Sequence, residues 1–261
     1  MSNLLDFFAQ THTPYLHARG RAGTAALFRE LRPAAGQRIL ELGFGTGHTL
    51  VELGAHCPGL ELYGLEKSPL MLGVAQRRFR FCGLGGIQLD LYAEKLPFAD
   101  LYFDAVFTES VLAILPDKQL PDIFNELYRV LKPGGRLCCN ESVWRPEIGP
   151  ETIEAINRQC RAEFGIPQAS ARFPYPEDWK SLGKAAGFRQ ITAKSLEGLP
   201  IHMQFPKTGV QFRSNLFSRM GWLKSRFSPG LISRKNKWRA GEKRFAVYGR
   251  FLEGWLFVFE K

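Results

Sequence analysis

Ile39-Leu40-Glu41-Leu42-Gly43-Phe44-Gly45-Thr46-Gly47-His48-Thr49-Leu50 runs from an apolar stretch through one acid into three glycines at alternate positions. The apolar run reads as a buried parallel strand, and the glycines as the turn into the helix behind it. Glycine lacks a Cβ, so it takes positive φ and lets a ligand lie against the main chain, while the next helix offers free N–H groups. Glu41, Gly43, Phe44, Gly45, Thr46 and Gly47 are therefore candidate ligand contacts. Spacing narrows the choice of ligand. A dinucleotide fingerprint has its third glycine three residues after the second, beneath a pyrophosphate, and His48 stands there instead.

The pattern Glu41-x-Gly-x-Gly-x-Gly resembles the first motif of the class I S-adenosylmethionine (SAM) dependent methyltransferases. Four later segments are similar to that family in the expected order. Leu60-Glu61-Leu62-Tyr63-Gly64-Leu65-Glu66 reads as a second strand ending in a carboxylate, and Lys67 to Ala75 as the entry to the next helix, with Ser68 as cap and Pro69 in its first turn. Ala93-Glu94-Lys95-Leu96-Pro97-Phe98-Ala99-Asp100 with Phe103-Asp104-Ala105-Val106-Phe107 resembles the passage beside adenine into the fourth strand. Arg129-Val130-Leu131-Lys132-Pro133-Gly134-Gly135-Arg136-Leu137 resembles the approach to the fifth. The resemblance spans roughly residues 25–196 plus a last strand at Gly254–Glu260, and points to the small-molecule branch that includes the ubiquinone and menaquinone methyltransferases.

That resemblance implies SAM as donor and S-adenosyl-L-homocysteine as product. Glu66 would accept hydrogen bonds from both ribose hydroxyls, a charge-assisted pair, with Lys67 beside it. Tyr92, Ala93 and Glu94 would flank the adenine. The family usually has an acid where this chain has Tyr92; a phenol oxygen can accept the same bond or the ring can pack on the purine, and Asp90 lies two residues earlier. In related enzymes the N-terminal segment folds over the cofactor, which brings in Tyr15 and His17.

With 261 residues and 45% hydrophobic content, the chain can bury a sizeable core as one enzyme domain. Five cysteines show no metal-ligand spacing, and their odd number argues against a complete disulfide framework. The N-terminus lacks a basic lead into an apolar core, and no run approaches the roughly 20 apolar residues that span a bilayer, so the expected location is cytoplasmic. Strands and helices alternate from Arg38 to Glu141, which predicts a parallel sheet with helices on both faces; the resemblance implies an α/β Rossmann-like doubly wound, mostly parallel seven-stranded sheet. Helices are expected at Asn3–Gln10, Ala22–Leu31, Thr152–Phe164 and Pro176–Ala186. Residues 1–36 would form an N-terminal helical lid, and 37–261 the methyltransferase domain.

A late insertion, residues 197–250, precedes the last strand where the family would have a tight turn. Its part from 207 to 250 holds twelve Lys or Arg against the single acid Glu242, a net +11 in a chain whose whole balance is +10. Seven aromatic residues are interleaved, among them Phe212, Phe217, Trp222, Phe227 and Trp238. Such a segment suits a cap packed on the domain, a peripheral contact with an anionic membrane surface, or a nucleic acid backbone. Composition does not choose among them, nor does it give an oligomeric state.

Methyl transfer from a sulfonium is an in-line displacement of an already activated group, so the protein mainly aligns the reactants and excludes water. A general base is needed only for an acceptor that arrives protonated, and Glu109, Glu141, His17 and His202 are the candidates. Methyltransferases acting on exocyclic base amines share an Asn/Asp-Pro-Pro-aromatic motif after the fourth strand. Here Thr108-Glu109-Ser110-Val111 stands in that place, which favours a small hydrophobic, phenolic or lipid-like acceptor over nucleic acid.

Overall fold

The computed structural model describes residues 4–15, 17–91, 95–198 and 208–261, with the main chain alone for 237–246. Strand β1 (Arg38–Leu42) is central, paired in parallel with β2 (Glu61–Glu66) on one side and β4 (Phe103–Glu109) on the other. Strands β3 (Gln88–Leu91) and β5 (Leu131–Trp144) extend the two flanks, and β7 (Leu252–Glu260) runs antiparallel between β5 and β6 (Gln190–Ser195). The order is β3-β2-β1-β4-β5-β7-β6. The winding reverses between β1 and β4, and ligands of such sheets gather at the carboxyl ends of the strands beside that switch. The expected sheet is thus the observed one.

Alternation along the strands divides the core into two layers. Ile39, Ala105, Phe107, Cys138 and Val258 pack toward α2 (Gly20–Leu31), α3 (His48–His56) and α4 (Pro69–Cys82). Their neighbours Leu40, Val106, Leu137, Cys139 and Phe257 pack toward α5 (Leu120–Val130), α6 (Pro150–Phe164) and α7 (Pro176–Ala186). Both faces are covered, so the strands read as near-continuous apolar runs. Helix α5 follows the simplest rule: Leu120, Ile123, Phe124, Leu127 and Val130 recur at helical spacing and all are buried.

The expected helices are present within two residues at each end, and α1 (Leu4–Gln10) opens the chain. Ser68 caps α4 by accepting from the Met71 N–H at 3.3 Å. Residues 132–135 belong to β5, with Gly134 at φ 74° and a register shift opposite Phe103 and Ala105. All five cysteines are free thiols, four of them buried. The insertion is a helical pair, α8 (Gly209–Ser225) and α9 (Pro229–Gly249), and α8 packs on α3 and α4. Among the described residues no helix is long and apolar enough to cross a membrane.

Candidate active site

The glycine turn leaves β1 at the switch point, and each glycine answers to a different constraint. Gly43, at φ 76°, donates its N–H to the Leu65 carbonyl at 2.7 Å, and a Cβ there would stand 2.3 Å from Val111 Cγ2. Only glycine fits. Gly45, at φ 53°, has nothing within 4 Å of the place of a Cβ, so that side of the main chain is open. Its N–H donates to Glu66 Oε2 at 2.9 Å, while the Ser68 N–H donates to Glu66 Oε1 at 2.9 Å. Glu66 therefore bridges the turn and the start of α4. Burial raises its carboxyl, and the backbone donors oppose that rise.

The remaining turn residues divide into those that line the crevice with main chain and those that lie beneath it. Phe44 is buried against Leu50 and the α3–α4 layer, so its ring supports the turn from below. The Thr46 hydroxyl donates to the Thr13 carbonyl at 3.0 Å and ties the turn to the N-terminal segment. Gly47 packs on Ala75 and Phe79, and Lys67 is exposed beside Glu66. Glu41 is buried with Oε2 unpartnered among the described residues; burial, then Glu109 and Glu66, push it well above the usual carboxylate range. An open main-chain surface, a bridging carboxylate and an unpartnered buried acceptor fit an adenosyl sulfonium with its ribose diol and amino group.

Next to this turn a buried polar cluster surrounds Glu109 at the end of β4. Its Oε1 accepts from Asn140 Nδ2 at 3.1 Å and Thr24 Oγ1 at 3.1 Å; its Oε2 accepts from Thr49 Oγ1 at 3.0 Å. His17 Nε2 lies 3.3 Å from the same Oε2, and both side chains are nearly buried. Asn140 Nδ2 is 3.3 Å from His17 Nδ1. A carboxylate oxygen can only accept, which assigns Nε2–H as the donor to Glu109 and leaves the lone pair of the neutral ring on Nδ1. Asn140 Oδ1 has no partner among the described residues.

Residues 11–15 and 17–19 lie across this cluster. Ala18 N–H donates to Ser110 Oγ at 3.3 Å, and Asn140 Nδ2 donates to the Ala18 carbonyl at 3.2 Å. The Tyr15 hydroxyl donates to Glu52 Oε1 at 2.6 Å, and its ring sits edge-on to His48 at 4.5 Å. Burial and the Glu52 carboxylate hold the Tyr15 phenol far above its ordinary range. His12, Tyr15, Arg19 and, opposite them, Ser110 all have φ between 51° and 60°, a conformation side chains other than glycine rarely adopt. Strain of this kind persists only where the surroundings over-determine it.

Glu141 is corrected as a candidate base. It is fully buried and its oxygens are committed to four donors: Thr108 Oγ1 at 2.9 Å and the N–H groups of Val111, Leu112 and Ala113 at 3.1 to 3.2 Å. It holds the 3-10 turn Leu112–Ile114 that follows β4. The candidates Tyr92, Ala93, Glu94 and His202 lie outside the described residues.

Sequence reasoning missed Arg78. It is fully buried, and its guanidinium donates to the Thr46 carbonyl at 2.8 Å, the His12 carbonyl at 3.1 Å, and Ser214 Oγ and Ser218 Oγ at 2.9 Å. Burial lowers it to about 10. One side chain thus joins the glycine turn, the lid and α8. The signal was present: Met71, Val74, Ala75, Arg78, Phe79 and Cys82 form one helical stripe, and a cation on an apolar stripe asks for buried acceptors.

Residues 39–135 match the family described as a methyltransferase domain. A demethylmenaquinone methyltransferase of Thermus thermophilus is 33% identical over 201 residues, covering 72% of this chain and 86% of that protein. An uncharacterized methyltransferase of Bacillus subtilis, YodH, is 30% identical over 208 residues, covering 80% and 83%. Among solved structures, phosphoethanolamine N-methyltransferase 2 of Haemonchus contortus in complex with S-adenosyl-L-methionine superposes with a TM-score of 0.68 at 18% identity; 97% of this chain is covered but 56% of that one. Geranyl diphosphate C-methyltransferase of Streptomyces coelicolor gives 0.62 at 18% identity, covering 92% and 78%.

Proposed function

The chain belongs to the class I S-adenosylmethionine-dependent methyltransferases, and from that membership we propose that its acceptor is a small apolar, phenolic or lipid-like molecule. The enzyme uses SAM, which supplies a methyl group already activated on a sulfonium. The protein's share of the work is then alignment, water exclusion and, for a protonated acceptor, removal of one proton.

The observation that carries the donor site is the meeting of Glu66 with the Gly45 N–H at 2.9 Å on the open side of the turn. In this reading Glu66 takes the ribose diol, the main chain from Gly43 to Gly47 lies along the nucleoside, and Glu41 receives a donor from the ligand. His17 and Glu109 handle the proton. Glu109 holds Nε2–H and so keeps the lone pair on Nδ1. Tyr15, with residues 11–14 and 17–19, forms the lid that keeps water out. The similarity to a demethylmenaquinone methyltransferase and the Thr108-Glu109-Ser110-Val111 sequence support an apolar or phenolic acceptor. Such a molecule partitions into membranes, which favours a cytoplasmic enzyme whose basic segment 207–250 meets an anionic bilayer, with nucleic acid the less favoured partner.

Calorimetric titration with S-adenosyl-L-homocysteine tests the donor site. Glu66→Ala should weaken binding by about 2 kcal/mol, as for a lost charge-assisted pair; unchanged affinity removes Glu66 from the site. His17→Gln should leave that affinity alone and lower kcat about 100-fold with a phenolic acceptor. Methyl-labelled SAM incubated with a lipid extract should place label in the apolar fraction.

A further inference from the structure

Helix α8 carries its polarity the reverse way for a helix that covers a core. Beside the ring of Phe217 its inward face is polar: Gln211, Ser214, Ser218 and Ser225 are buried, with Gln211 Nε2 donating to Glu52, Ser214 Oγ 2.9 Å from His48 Nδ1, and Ser214 and Ser218 accepting from Arg78. Its outward face is apolar. Phe212 is 68% exposed, Leu216 39%, Met220 50%, Leu223 50% and Phe227, just past the helix end, 78%. At 3.6 residues per turn these five fall within an arc of about 80°. Arg213 and Lys224 flank the arc on one side, Arg219 and Arg226 on the other, and all four are exposed.

An exposed apolar stripe of this length on a soluble surface marks something that covers it, and charge says what. The surrounding segment is +11, so a second copy of this chain would bring like charge onto like charge. An RNA backbone would satisfy the charge but leave Leu216, Met220 and Leu223 without use, since bases stack on aromatic rings and not on aliphatic chains. A helix with an apolar arc bordered by Lys and Arg suits the plane between lipid headgroups and acyl chains, where long basic side chains reach back to the phosphates. Trp222, with Arg226 at 5.3 Å and Lys235 Nζ at 5.0 Å over its ring, stands on the Arg219–Arg226 flank where an interfacial indole belongs.

We propose that α8 is a membrane-docking helix: its Phe212–Phe227 stripe enters the headgroup boundary of an anionic bilayer while Arg213, Arg219, Lys224 and Arg226 pair with lipid phosphates. This deepens the apolar-acceptor reading, because a docked enzyme meets its substrate where that substrate dissolves. The inner face of the docked helix is wired through Arg78 to the glycine turn and the lid.

Co-sedimentation with phosphatidylcholine vesicles, with and without about 30% phosphatidylglycerol, tests the docking in the absence of donor and acceptor, so its failure leaves methyl transfer standing. The wild-type chain should pellet with the anionic vesicles only, and less as salt is raised to about 0.5 M. Phe212→Ser with Phe227→Ser, and separately Arg219→Glu with Lys224→Glu, should each lower the bound fraction about tenfold, with S-adenosyl-L-homocysteine affinity unchanged as the sign of an intact fold. Absence of wild-type binding overturns the proposal whether or not the variants fold. So does equal binding to neutral vesicles, a variant that pellets like wild type, or a dimer in vesicle-free sedimentation that the Phe212→Ser/Phe227→Ser pair dissolves. Free phosphate competing as well as anionic vesicles would likewise overturn it.

Discussion

Helices α5 and α8 are both amphipathic, with opposite sign. In α5 the apolar residues Leu120, Ile123, Phe124, Leu127 and Val130 face the sheet. In α8 the residues facing the protein are mostly polar, Gln211, Ser214, Ser218 and Ser225 beside the ring of Phe217, while Phe212, Leu216, Met220 and Leu223 face outward. The first is held by removal of carbon from water, the second by hydrogen bonds to buried charge. Each also has a buried ionisable group at its back: the Glu141 carboxyl under the turn that leads toward α5, and the Arg78 guanidinium under α8. An amphipathic pattern therefore tells which residues share a face, but not which face meets the core.

The sharpest way to break this contrast is to truncate one apolar residue on each helix. Phe124 is fully buried, and Phe124→Ala should cost about 3–5 kcal/mol by lost transfer energy plus a cavity. Leu223 is half exposed, and Leu223→Ala should stay within about 0.5 kcal/mol. Urea midpoints at constant slope give both numbers. A cost above about 2 kcal/mol for Leu223→Ala would mean that the outer face of α8 is packed in solution, against another copy or another part of the chain.

The next largest effect is expected beneath α8. Arg78→Met removes a costly buried cation, which favours the variant, but strands Thr46 O, His12 O, Ser214 and Ser218 without a donor. Several orphaned acceptors at about 1 kcal/mol each outweigh a cation that was already well solvated by them, for a net loss of about 3 kcal/mol. Because Arg78 also fixes the turn and the lid, S-adenosyl-L-homocysteine affinity should fall with stability. Loss of stability alone would limit Arg78 to holding α8.

What could be read from sequence follows the same line. Motif I, Glu66 at the end of the second strand and the Ser68 cap depend on residues near one another in the chain, and these were legible. The Glu109 cluster draws His17, Thr24, Thr49 and Asn140 from four separate elements. Sequence placed Glu109 and His17 as separate candidates; only the fold shows that they touch. Glu141 was misjudged for a related reason. A carboxylate at the carboxyl edge of a sheet is a candidate base until its oxygens are counted, and here the 3-10 turn at Leu112–Ile114 with its cap Val111 supplies three of the four donors.

Glu141 also gives the mildest test, and pH decides its outcome. Burial lifts its carboxyl from 4.5 to about 7 against the pull of its donors. Between those values the folded chain holds a proton that the unfolded chain has released, so the stability from this site is full below pH 4.5 and is lost as pH rises through about 7. Glutamine cannot titrate, and its amide N–H₂ must turn toward at least one of the four donors. Glu141→Gln should therefore cost about 2 kcal/mol at pH 5 and less at pH 8, measured as the difference between wild-type and variant urea midpoints. A cost that grows with pH would mean that the four donors outweigh burial and keep the carboxylate ionised. The buried charge near α5 would then be sustained as the one under α8 is, by hydrogen bonds alone.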